Sequence, residues 1–190
     1  MGKRTVTDKV SLVAGHMKNL VRLCVIALVS SVFVVSISFS GSATKGTINT
    51  VPDFERMKSL VGEWQGKSLD GNTAKISYTL VSDNSALMEK LAVAGESEMV
   101  TMYHPDGDHL MMTHYCSAHN QPRMRSQKAS METKNIVFDL VDVTNLSTPD
   151  AGHMKKLVLN FVDQDHLTQE WTWTEKGKEN TVVIQFERKK

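Results

Sequence analysis

The sequence predicts an all-β protein, an antiparallel up-and-down β-barrel of about ten strands with a short N-terminal helix, preceded by a signal peptide. Three observations carry this reading. Apolar and polar residues alternate at period two through most of the chain beyond Gly62. The alternating runs are short and are broken by clusters of Gly, Asn, Asp and Pro, the residues that turns require. One uncharged apolar stretch, Leu23–Phe39, stands apart near the N-terminus.

That stretch has the three parts of a secretory leader, which is read as residues 1–43. Lys18 and Arg22 precede it, and Gly41 and Ala43 occupy the −3 and −1 positions of a cut after Ala43. Counted from Met17 the leader has an ordinary length, which points to Met17 as the true start. The alternative is an uncleaved anchor. Ser30, Ser31, Ser36 and Ser38 lower the hydropathy of a segment already at the short limit for a span. Cleavage leaves no stable membrane insertion, and the expected location is periplasmic or extracellular.

Residues 44–51 read as a polar tether and 52–190 as one domain, a size that supports a single core. Beyond residue 43 the chain carries 17 basic and 20 acidic side chains, a net charge of −3. The charges are interspersed and form no basic face, so nucleic acid is excluded as a partner. Cys24 lies in the leader, which leaves Cys116 alone after cleavage. No intramolecular disulfide can then form, and burial and strand pairing must hold the fold.

The helix is expected over Asp53–Val61, with Asp53 as N-cap and Phe54, Met57, Leu60 and Val61 on one side. Gly62 ends it. The expected strands are Glu63–Leu69, Thr73–Ser82, Ala86–Ala94, Glu98–His104, His109–Ser117, Arg123–Met131, Asn135–Val143, Lys155–Val162, His166–Thr174 and Thr181–Arg188. Alternation groups Ile76, Tyr78 and Leu80 on one face, and likewise Ile136, Phe138 and Leu140. Leu167, Gln169, Trp171 and Trp173 form another such face, and Val182, Ile184, Phe186 and Arg188 a further one. A sheet apolar on one side and polar on the other is what a closed antiparallel barrel needs.

Gly62-Glu63-Trp64, directly after the helix and opening the first strand, resembles the Gly-x-Trp signature of the calycin superfamily, the lipocalins, fatty-acid-binding proteins and nitrobindin-like proteins. In that group the signature Trp packs at the closed barrel end against an Arg of the last strand, and Arg188 holds the matching position here. The resemblance implies that Gly62, Trp64 and Arg188 are a structural signature rather than an active site. The segment Met99–Cys116 is also similar to secreted bacterial proteins whose domain has no assigned function. The nitrobindin-like branch opens Gly-x-Trp-x-Gly-x-Gly and binds haem through a His near the C-terminus. Here Ser68 replaces the last Gly and the final strand has no His, so no haem or other cofactor is expected.

His104, His109, His114 and His119 recur every five residues, which suggests a metal cluster until strand geometry is considered. His109 and His114 point to opposite faces of one strand. His104 and His109 flank the Pro105–Asp108 turn and are expected as cross-strand neighbours at its tip, too few ligands for zinc. No metal site is therefore expected. Nucleophile-elbow, zincin and phosphate-loop motifs are absent from the sequence.

The candidate ligand-binding residues are Tyr78, Glu89, Met112, His114, Arg125, Phe138, Gln169, Trp171 and Trp173; Arg125 shares one face of strand six with Arg123 and Gln127, and that face is either the inner or the outer one. Glu89, Arg125 and Gln169 are the candidate polar contacts, because a buried charge or amide needs a partner or a ligand. Fatty-acid-binding proteins hold a carboxylate with inward Arg, which is the role open to Arg125. Three functions follow. The first is a barrel holding a small apolar or amphipathic molecule. The second is an enzyme with His114 or Glu89 as general base. The third is a filled barrel acting as an interaction module.

Overall fold

A computed structural model describes residues 51–128 and 133–190. The expected leader and nearly all of the tether lie outside these residues, as does the distal part of the strand expected over Arg123–Met131. Helix α1 (Pro52–Lys58) is followed by ten strands: β1 (Gly62–Ser68), β2 (Thr73–Val81), β3 (Ala86–Val93), β4 (Met99–Asp106), β5 (His109–Tyr115), β6 (Gln121–Ser126), β7 (Asn135–Thr144), β8 (His153–Phe161), β9 (His166–Glu175) and β10 (Lys178–Arg188). Each strand pairs antiparallel with the next, and β1 pairs with β10 to close the barrel. Closure removes every sheet edge.

The expected elements are all present, with boundaries shifted for identifiable reasons. Helix α1 begins one residue early because Pro52 takes its first position, where the fixed φ is already helical and no N–H is needed. Val51 is the N-cap and supplies no side-chain bond. Asp53, expected as the cap, is instead buried inside the first turn and paired with Arg56 at 3.1 Å. Strand β4 continues through Pro105 to Asp106, which stands opposite His109. His104 consequently faces Met111, and the two histidines are not cross-strand neighbours. Strand β10 starts at Lys178 rather than Thr181. Lys176 and Gly177 both take positive φ and turn the chain in two residues, so pairing begins at once.

One end of the barrel is sealed. Trp64 and Arg188 face each other across β1 and β10, and the Arg188 guanidinium lies 4.2 Å from the centre of the indole. Its nitrogens donate to the carbonyls of Ser59 (2.7 Å), Val61 (2.9 Å) and Gln164 (3.1 Å). Trp64 Nε1 donates to the Leu60 carbonyl at 2.8 Å. The stack thereby ties the helix exit to the last strand. Arg56 does the same for the helix itself. It donates to the Thr133 and Asn135 carbonyls and lies over the Phe161 ring at 4.7 Å. Phe54, Met57 and Leu60 are driven into the core beneath these contacts. Gly66 allows the last strand to approach: a Cβ there would lie 2.5 Å from the Phe186 ring. The seal matches the architecture expected of a calycin-like chain.

Candidate functional site

Five polar side chains cross the interior at mid-height. Tyr78, Glu89, Thr101 and His114 are inward residues of β2, β3, β4 and β5, and they follow one another across the register: Tyr78 opposite Glu89, Glu89 opposite Thr101, Thr101 opposite His114. Gln169 enters from β9 on the far wall. Its Nε2 donates to Tyr78 Oη and to Glu89 Oε2, both at 2.9 Å, and its Oε1 accepts from Trp171 Nε1 at 2.8 Å. Tyr103 Oη donates to the same Glu89 oxygen at 3.0 Å. All of these residues are buried.

The electrostatics follow from that burial. Desolvation raises the Glu89 carboxyl pKa, while hydrogen bonds from Tyr78, Tyr103 and Gln169 oppose the rise. Burial and the neighbouring Glu89 push both tyrosine hydroxyls well above their ordinary value. His114 is pushed down to about 4 by burial, so its imidazole is neutral near pH 7.

Thr101 Oγ1 and His114 Nδ1 share a hydrogen bond at 2.9 Å. His114 Nε2 has no hydrogen-bond partner among the described residues.

Below this belt, toward the sealed end, side chains fill the barrel. Met112, Met124, Tyr103 and Phe138 are fully buried, with the Tyr103 and Phe138 rings 5.7 Å apart. Above it, at the opposite end, a pocket of about 140 Å³ remains. The His114 imidazole and the Trp171 indole, 4.7 Å apart, form its inner surface. Leu91, Val93, Met99, Met154, Val182 and Ile184 supply apolar walls, and Ser68, Asp70, Asn72 and Glu96 the polar lining. Among the described residues the sealed half of the barrel is thus filled, and this pocket lies at the opposite mouth.

The nine candidate residues separate accordingly. His114 and Trp171 line the pocket. Tyr78, Glu89 and Gln169 form the belt behind it. Met112 and Phe138 belong to the filled half. Trp173 is half-buried at the mouth, packed on Gly152, and lines an open groove with Asn120 and Asn145 instead of the pocket. Arg125 stands outside. Pro122, Met124 and Ser126 take the inward register of β6, which sends Arg123 and Arg125 to the outer face. There Arg125 pairs with Asp106 at 3.2 Å and Arg123 with Asp142. The inward-Arg carboxylate clamp is therefore not present at Arg125.

Sequence reasoning missed Thr101 and Tyr103. The signal was available, because both alternate with Met99 on one face of β4. It also missed Asp70 and Glu96, which sit in turns where period two says nothing. Among the described residues, no three His, Cys, Asp or Glu side chains converge as metal ligands would.

No protein-family model and no curated protein sequence matches the chain. Solved structures do resemble it. Rv2717c from M. tuberculosis superimposes with a TM-score of 0.53 at 12% identity, over 73% of this chain and 98% of that one. A protein of unknown function from the DUF3598 family of Nostoc punctiforme PCC 73102 gives a TM-score of 0.40 at 12% identity, over 70% of this chain and 49% of that one. The protein EF1p2_mFAP2b, solved bound to DFHBI, gives 0.35 at 9% identity, over 72% and 98%. At such identities the likeness to Rv2717c concerns the fold alone.

Proposed function

We propose that this chain is an exported barrel that binds a small amphipathic molecule in the pocket at its open end, with His114 Nε2 as the polar contact. The observation that carries this reading is the state of His114. A buried polar atom is ordinarily satisfied, and leaving one bare costs roughly 1–3 kcal/mol. Here the bare atom belongs to a residue lining an apolar pocket. A polar group of a ligand would complete it.

Pocket size narrows the ligand. A cavity near 150 Å³ accommodates a single ring such as benzene, so the 140 Å³ pocket suits a ring-sized body rather than a long acyl chain. Binding is preferred to catalysis because of what holds His114. A catalytic imidazole is ordinarily oriented by a third group that also stabilises its protonated form. Thr101 orients this ring without supplying a charge.

The test is titration of the purified protein with phenol, followed by tryptophan fluorescence and by the Trp171 Nε1–H resonance. Saturable quenching and a shift of that resonance are expected, and Trp171→Ala should weaken binding while the barrel stays folded. An unchanged indole resonance at saturating phenol would remove the reading.

A further inference from the structure

The polar lining of the pocket has one electrostatic sign. Its charged residues are Asp70, in the β1–β2 turn, and Glu96, in the β3–β4 loop; no Lys or Arg is among the described residues that line it. Hydrogen bonds from Ser68 and from Asn72 Nδ2 hold the Asp70 carboxylate in place. The first of these lowers its pKa, so Asp70 stays ionised at neutral pH. Among the described residues Glu96 pairs with no cation, whereas its neighbour Glu98 lies 3.8 Å from Lys90. Deeper in, His114 Nε2 has no hydrogen-bond partner among the described residues, on a residue with 1% exposure.

Both charged groups are carboxylates. An anion entering the pocket would meet them and find no cation among the lining residues. A cation would meet complementary groups. Extended strand rises about 3.3 Å per residue, so Ala74 at the mouth stands roughly 13 Å along β2 from Tyr78 in the belt. That length fits a ring with a short side chain.

We infer that the pocket selects a small amine: a ring-sized apolar body between Leu91, Met99, Met154 and Ile184, a hydroxyl hydrogen-bonded to His114 Nε2, and an ammonium group at the mouth beside Asp70 and Glu96. A phenolic arylalkylamine has this chemistry. The inference rests on the pocket being a binding site, and it adds the sign of the ligand. It also sets this barrel apart from carriers that clamp a carboxylate with an inward Arg, since Arg125 is outside.

Four probes sharing one ring test it: tyramine, 2-phenylethylamine, 2-phenylethanol and 3-phenylpropionate. Each is titrated calorimetrically into the purified protein at low ionic strength. Tyramine should bind tightest and phenylpropionate weakest, with the amines favoured over the carboxylate by about tenfold or more. Glu96→Gln, an exposed loop change that leaves the strands intact, should weaken both amines several-fold and leave phenylethanol unchanged. Combining it with Asp70→Asn should remove most of the amine preference. His114→Phe should abolish the advantage of tyramine over phenylethylamine. If phenylpropionate binds as tightly as the amines, or Glu96→Gln and the double variant leave amine affinity untouched, the assignment of sign is wrong while the pocket remains a binding site. If none of the four binds, the pocket itself is not a ligand site and both readings fall.

Discussion

The two ends of this barrel are built from similar materials and finished in opposite ways. At the sealed end, an indole and a guanidinium meet, and their polar atoms reach backbone carbonyls from Leu60, Val61, Ser59 and Gln164. At the open end, an indole and an imidazole meet, and one nitrogen of the imidazole reaches nothing. The belt of Tyr78, Glu89, Thr101 and Gln169 separates them. Satisfied polar groups rigidify, whereas an unsatisfied buried one is a cost that stability alone does not explain. Arg56 Nε and Glu89 Oε1 are also buried without a partner, but of these atoms only the imidazole nitrogen belongs to a residue that lines the pocket, and that is where to look for function.

The largest expected effect belongs to the sealed end. Trp64→Ala should cost about 3–5 kcal/mol, since it empties a fully buried site and leaves the Arg188 charge without its platform. Arg188→Ala should cost about 1–3 kcal/mol, through the lost stack and the carbonyls left bare. Denaturant melts followed by circular dichroism check both. A loss below 1 kcal/mol for Trp64→Ala would mean that the end is held by the helix contacts instead.

At the open end the expected signature is pH dependence rather than a fixed loss. His114 has a folded pKa of about 4 against an ordinary 6.5. The unfolded chain therefore binds the extra proton first as the pH falls. Stability from this group is complete above pH 6.5 and declines between 6.5 and 4, by an amount on the order of 3 kcal/mol. Glu89 has its pKa raised by burial, so its contribution is greatest in acid and is lost as the pH rises from the unfolded carboxyl value. The two slopes oppose each other in the wild type. His114→Phe should unmask the Glu89 slope, making the protein relatively more stable in acid than the parent. Melts of parent and variant from pH 4 to 7 check the sign, and parallel curves would show that His114 is not buried neutral.

How much of this was legible depended on whether a property is local. Period two and turn residues fixed all ten strands, because alternation and turn chemistry act within a few residues. The inward places of Tyr78, Glu89, His114, Gln169 and Trp171 followed from the same rule. Arg125 failed because strand six offered Arg123 and Arg125 on one face and Met124 on the other, and the choice between faces was settled by burial of Pro122, Met124 and Ser126 in a core whose other members are distant in sequence. Trp173 shares the register of Trp171 but sits past the rim, a matter of height that alternation does not encode. The filling of the lower barrel depends on the summed volumes of Met112, Met124, Tyr103 and Phe138 from four strands. No single strand carries that information.

The smallest expected effect is at Arg125, and it sharpens the contrast between inside and outside. Its side chain is about half exposed, and its partner Asp106 equally so. Exposed pairs of this kind contribute about 0–1 kcal/mol, because water screens the attraction and two long side chains lose freedom in making it. Arg125→Ala should therefore shift stability by less than about 1 kcal/mol, and the shift should shrink further in high salt. It should leave amine binding unchanged, because the charge faces away from the pocket. The same titrations and melts read both quantities. A large loss of ligand affinity in Arg125→Ala would place that guanidinium inside the barrel in solution. The register of β6 would then have to slip by one residue, exposing Met124 in exchange.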